Sequence, residues 1–157
     1  MRTAIILCAL IITLCPRVSE GHSFTGRVER MIDGDTICVR AKGEGLKAED
    51  RDRRGLVHVR LAEIDAPEMK TPHGPAAKQA LSDMILGKIV RIEWKHRGRY
   101  RRIIGQVYLG EDWINRELVD GGNARRWPFS CNRALLLAET AARSRQLGVW
   151  ASSTKVP

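Results

Sequence analysis

Val57-His58-Val59-Arg60-Leu61-Ala62-Glu63-Ile64-Asp65-Ala66-Pro67-Glu68 is the stretch on which the fold and chemistry of this chain turn. Apolar residues at 57, 59 and 61 alternate with His58 and Arg60, the period of a half-buried strand. The pattern stops at Ala66-Pro67, because proline cannot donate to a strand ladder. Counting by twos puts Arg60 and Asp65 on opposite faces of a regular strand. A bend or bulge near Ala62-Glu63 is expected to break that parity.

Upstream, Ile32-Asp33-Gly34-Asp35-Thr36 is an acidic turn between two strand patterns, residues 24–30 and 36–40, so a hairpin is expected. Residues 41–55 carry three glycines and a dense run of mixed charge and read as a flexible, solvated loop. Downstream, residues 76–86 read as a helix, with Ala77, Ala80, Leu81, Met84 and Ile85 on one face and Gly87 as its stop. Residues 88–95 and 103–109 alternate as strands around a basic turn, residues 96–102. Residues 113–120 read as a short strand running into a helix that stops at Gly121-Gly122. A last helix is expected over residues 132–146, with Ala134, Leu137, Ala138 and Ala141 as its apolar stripe, Asn132 or Ser130 as its N-cap and Gly148 as its C-cap. The fold class is therefore α+β: five strands in a barrel of the OB type, packed with about three helices.

The 157 residues allow one domain of ordinary size with terminal extras. Hydrophobic residues make up 43% and aromatic ones only 5%, so the core must be mostly aliphatic. Arg2, the apolar run of residues 4–14, Pro16 and the small residues near 19–21 read as a secretory signal peptide over residues 1–21. A secreted or periplasmic protein follows, or a membrane-anchored one if that segment stays on. Lipoprotein processing at Cys15 is disfavoured by the bulk of Leu14. The domain then spans residues 22–150 and a loose tail 151–157. The formal net charge is +9. Losing residues 1–21 removes Arg2, Arg17 and Glu20, so 27 basic and 18 acidic residues become 25 and 17, a net of +8. The charge belongs to the domain and points to an anionic partner. Cys38 and Cys131 remain, either as one disulfide or as two free thiols. Neither has the spacing of a zinc site. No protein partner is evident and a monomer is expected.

Asp35 ends a tight turn and Asp65 ends a strand. If those strands neighbour each other, two carboxylates and Glu68 converge as hard oxygen ligands suited to a divalent cation. Arg60, and the run His96-Arg97-Gly98-Arg99-Tyr100-Arg101-Arg102, supply guanidiniums whose planar forks match phosphate, with Arg99 and Tyr100 as candidate substrate contacts.

These motifs make the chain resemble the staphylococcal nuclease (thermonuclease) family. The match lies in Ile32-Asp33-Gly34-Asp35-Thr36, in Val59 through Glu68, in Tyr100-Arg101-Arg102, in Val107-Tyr108-Leu109 and in Asp112-Trp113-Ile114-Asn115-Arg116-Glu117-Leu118-Val119, in order across residues 24–150. The resemblance implies an OB-fold barrel with three helices. It also implies a Ca²⁺-dependent nuclease that cuts DNA and RNA at the 5′ P–O bond and leaves 3′-phosphate ends. By the same resemblance Asp35 and Asp65 match the calcium carboxylates, Ala66 a backbone-carbonyl ligand and Asp33 a nearby acid. Glu68 matches the general base, and Arg60 and Arg102 the two phosphate-binding arginines. The chain departs from the family where nucleotide-contacting tyrosines are expected: it reads Arg125-Arg126-Trp127-Pro128-Phe129-Ser130. Trp127 or Phe129 is the candidate to stack on a base there. Two other function classes stay open on sequence: an idle OB domain that only holds nucleic acid, and an exopolysaccharide-related protein doing glycosidic chemistry with paired carboxylates.

Overall fold

The structure, a computed structural model, describes residues 21–42 and 45–151. The expected signal segment, apart from Gly21, and the tail beyond Ala151 lie outside the described residues. In chain order the elements are β1 (His22–Met31), β2 (Thr36–Lys42), β3 (Val57–Leu61), β4 (Ile64–Asp65), α1 (Gly74–Ile85), β5 (Ile89–Arg97), β6 (Ile103–Leu109), β7 (Asp112–Trp113), α2 (Ile114–Asp120), β8 (Arg125–Arg126) and α3 (Arg133–Ser144).

Strands pair in the order β3-β2-β1-β5-β6-β7, and β3 also pairs with β6. That second pairing closes β1, β2, β3, β5 and β6 into a five-stranded barrel, the OB fold with three helices. The closing pair is parallel and all the others are antiparallel. Closure leaves the barrel strands no free edge along this seam. β1 buries Phe24, Gly26 and Val28 by strict alternation, and a bulge between Val28 and Arg30 then shifts the phase so that Met31 is buried. Val39, Val57, Val59, Ile92, Ile103 and Val107 fill the barrel, covered by Leu81 and Ile85 of α1, Leu118 and Val119 of α2 and Leu135 of α3. Each such aliphatic side chain contributes about 1.5–3 kcal/mol relative to exposure.

Three local expectations need correction. α1 starts at Gly74, with Pro75 in the first turn where its missing N–H is harmless. The buried stripe of α3 is Leu135, Ala138, Glu139 and Ala142, so of the expected Ala134, Leu137, Ala138 and Ala141 only Ala138 belongs to it. Leu137 stays 60% exposed. Glu139 sits inside the stripe, where its carboxylate meets Arg126 and Arg143, so the stripe is not purely apolar. Asn132 does cap this helix, accepting from the amides of Ala134 and Leu135, but the C-cap is Arg145 and Gly148 lies beyond in a short 3₁₀ turn.

The third correction concerns part of the expected loop 41–55, of which residues 43 and 44 lie outside the described residues. β2 runs into this segment as far as Lys42, and a 3₁₀ turn spans Ala48–Asp50. Asp50 is buried, and its two oxygens accept from Arg97 Nε at 2.7 Å and Nη2 at 2.8 Å, with the Lys47 amide on Oδ2 at 2.7 Å. The Arg97 hydrogen bonds hold this carboxyl below its usual range. An Asp50→Ala protein is expected to lose ~2 kcal/mol of stability, read from denaturant midpoints, because a charged hydrogen-bonded anchor is lost. Cys38 is buried and Cys131 exposed, and both are free thiols.

Candidate active site

The Asp33-Gly34-Asp35 turn is built locally. Asp33 Oδ1 accepts from the Asp35 amide at 3.1 Å, and the Thr36 carbonyl accepts from the Ile32 amide at 2.8 Å. A Cβ on Gly34 would stand 2.8 Å from the Cβ atoms of both Ala66 and Ala77, so only glycine lets the turn lie against residue 66. Ala66 closes the approach by donating its amide to Asp35 Oδ2 at 2.8 Å.

Between β3 and β4 the chain turns at Ala62-Glu63, and Glu63 takes a left-handed φ of 62°. This conformation costs a non-glycine residue about 1–2 kcal/mol. It also breaks the strand parity as expected and turns Asp65 back toward Arg60. Arg60 Nη1 donates to Asp35 Oδ1, and Nη2 donates to Asp65 Oδ1 at 2.9 Å. One guanidinium therefore joins the two aspartates singled out from the sequence. The Ala62 carbonyl accepts from Nδ2 of the fully buried Asn115 at 2.9 Å, which fixes the turn from beneath.

Arg102 precedes β6. Arg60 stands opposite Ile104 in the parallel β3–β6 pair, and Arg102 lies two residues before Ile104. Side chains at 58, 60, 102 and 104 therefore share the outer face of the barrel, with the Cα atoms of Arg60 and Arg102 about 8 Å apart by sheet geometry. Arg102 Nε is buried and has no hydrogen-bond partner among the described residues. Just before it, Tyr100 and Arg101 have φ of 59° and 58°, as the central positions of a type I′ hairpin turn require. Tyr100 is 89% exposed at that tip, beside exposed Arg99. Glu68 is exposed on the loop after β4. A Cβ on Gly74 would lie 2.2 Å from the Glu68 carbonyl oxygen, so the start of α1 packs directly under the Glu68 backbone. Trp127 and Phe129 lie past β8, which pairs with β4, and their rings are 6.3 Å apart with Phe129 84% exposed.

Asp35 is buried. Burial pushes its carboxyl up from the usual 3.8 to about 6, against the pull of Arg60 and of the Ala66 amide. One guanidinium therefore leaves the burial of this charge incompletely offset, which suits a further cation. The nearby ligands are all oxygens, so a hard divalent cation fits them in kind. In number they are few: among the described residues no group of three or more His, Cys, Asp or Glu gathers to hold a metal. Asp33 serves the turn, and Ala66 meets Asp35 through its amide.

Sequence reading missed two residues. Asn115 shares the buried face of α2 with Leu118 and Val119, so helical spacing marks it as a buried polar group. Glu63 gives no such signal, because its partners lie 43 and 67 residues away.

The family described as staphylococcal nuclease homologue matches residues 58–152. The chain is 32% identical over 155 residues to an uncharacterized endonuclease of Haemophilus influenzae, covering 98% of this chain and 79% of that protein. It is 34% identical over 134 residues to an uncharacterized endonuclease of Escherichia coli, covering 84% and 80%. It is 31% identical over 154 residues to a micrococcal nuclease of Shigella flexneri, covering 90% and 82%.

Proposed function

Because the chain belongs to the staphylococcal nuclease family, we propose that it is an exported, calcium-dependent nuclease acting on DNA and/or RNA, cutting the 5′ P–O bond and leaving 3′-phosphate ends. The chain is a nuclease by family, and its substrate bonds are phosphodiesters. In the proposed function it works as a secreted or periplasmic monomer with calcium bound. A membrane-anchored form is the alternative if residues 1–21 are retained.

The observation that carries the reading is Arg60 joined to both Asp35 and Asp65, with the unpartnered Nε of Arg102 on the same sheet face. Asp35 and Asp65, with the Ala66 carbonyl and with Asp33 nearby, would hold Ca²⁺, which would supply positive charge to the phosphate oxygens. Arg102, and Arg60 on release from its aspartates, bind the non-bridging oxygens and stabilise the charge that develops at pentacoordinate phosphorus. Glu68 takes the proton from the attacking water, the P–O5′ bond breaks, and the departing 5′ oxygen is protonated from solvent. Arg99 and Tyr100 contact the strand at the hairpin tip, and Trp127 or Phe129 stacks on a base.

The test is digestion of single-stranded DNA and of RNA by the purified protein with Ca²⁺, with end-group analysis of the products. Cleavage that leaves 3′-phosphates and stops on addition of a chelator is expected. Binding without cleavage would favour the idle OB domain, and action on neither nucleic acid would revive the polysaccharide reading.

A pH dependence follows from Asp35. A carboxyl with its pKa near 6 must lose its proton before it holds a cation. Calcium affinity is therefore expected to fall as pH drops through about 6, by roughly tenfold per unit below it, in calorimetric titrations at pH 5, 6 and 8. Equal affinity at pH 5 and pH 8 would contradict this.

A further inference from the structure

Glu63 is the one residue of the β3–β4 turn whose side chain reaches two other parts of the molecule. Its Oε2 accepts from Gln106 Nε2 on β6 at 2.7 Å, and its Oε1 accepts from Ser130 Oγ at 2.9 Å. Gln106 is itself oriented by Trp113, whose Nε1 donates to Gln106 Oε1 at 2.9 Å. The Glu63 carbonyl accepts from the Trp127 amide at 2.8 Å. The turn that faces Asp65 toward Arg60, the barrel wall and the loop bearing Trp127 and Phe129 are thus tied at a single residue. That residue also carries the left-handed backbone on which the Arg60–Asp65 contact depends.

We propose that Glu63 is a positioning residue for phosphodiester cleavage: its two side-chain hydrogen bonds hold the strained β3–β4 turn, and so hold Asp65, Arg60 and Ala66 in register. The proposal rests on the nuclease reading for its consequence in rate, and on the hydrogen bonds alone for its consequence in structure. A turn in an unfavourable conformation persists only where its surroundings over-determine it. Asn115 holds the Ala62 carbonyl from below, and Glu63 supplies the lateral hold.

Three substitutions separate tether, charge and backbone. Glu63→Ala removes the tether. Glu63→Gly removes it too, but relieves the backbone, since glycine takes positive φ without strain. Glu63→Gln keeps the tether without the charge, because an amide oxygen can accept from Gln106 while its NH₂ donates to Ser130, whose hydroxyl can turn to accept. With a single-stranded oligonucleotide, well below each variant's melting temperature, Glu63→Ala and Glu63→Gly are expected to lower kcat about 10–100-fold with KM little changed, the cost of misplaced catalytic groups. Glu63→Gln is expected to stay within about twofold of the parent kcat. In parallel, hydrogen exchange at the Ala66 amide is expected to speed about tenfold in the Ala and Gly variants and not in the Gln variant. Parent-like kcat and exchange in Glu63→Gly, or a loss in Glu63→Gln equal to that in Glu63→Ala, would overturn the proposal. If the parent protein cleaves nothing, the nuclease reading fails, and Ala66 exchange still decides for or against the tether.

Discussion

An Arg102→Ala enzyme is expected to lose about 10²–10³-fold in kcat while KM moves only a few-fold, the usual size of losing one preorganised donor to transition-state charge. The pattern matters more than the size. Arg102 gives the folded protein little: its Nε has no partner among the described residues, and its backbone bonds to Gly98 and Arg99 survive the substitution. Melting behaviour should therefore stay close to that of the parent. Steady-state kinetics on an oligonucleotide, with a thermal melt of the same sample, checks both. Unchanged turnover would remove Arg102 from the chemistry.

Arg60→Ala is expected to act differently, because this guanidinium ties Asp35 and Asp65 together in the fold as well as serving the proposed chemistry. It should cost at least as much in kcat as Arg102→Ala, and in addition ~2–4 kcal/mol of stability, because it leaves the buried Asp35 carboxylate without its cation. The stability loss should depend on pH with a definite sign. A folded pKa raised above 3.8 means that folding favours the protonated acid: that contribution is complete below 3.8 and is lost as pH rises through about 6. Without Arg60 the Asp35 carboxyl rises further. The metal-free variant should therefore be least stable relative to the parent at pH 8, and the gap should narrow below pH 6. Urea midpoints of both proteins at pH 5 and pH 8, in chelator, measure this. A gap that widens toward pH 5 would contradict the assignment of Arg60 as the partner of a buried Asp35.

Much of this could be read from the chain. The β3 strand, the Asp33-Gly34-Asp35 turn and the three helices rest on local periodicity and on turn residues whose reasons are steric. The convergence of Arg60, Asp35 and Asp65 is legible in the sequence only as an expected bend near Ala62-Glu63. The backbone angle that makes the bend, the positive φ of Glu63, and the direction in which it turns Asp65 are not. Apolar spacing alone does not find the α3 stripe, because it includes Glu139, buried between Arg126 and Arg143. Asp50 was lost in a segment read as solvated for a related reason: its partner, Arg97, is 47 residues away. Pairings between distant polar groups are what local periodicity does not encode.

The carboxylates remain the centre of the catalytic scheme, and Asp65 is the one that tests them cleanly. It is exposed, and an amide at this position keeps the oxygen that Arg60 Nη2 uses. Asp65→Asn thus removes a charge without removing a structural bond. Calcium titration and single-turnover cleavage of single-stranded DNA by this variant and its parent decide the matter. Calcium affinity at least about tenfold weaker, with a parallel loss of cleavage, is the expected result. A variant that binds calcium and cuts DNA as the parent does would show that the cation and the chemistry lie elsewhere.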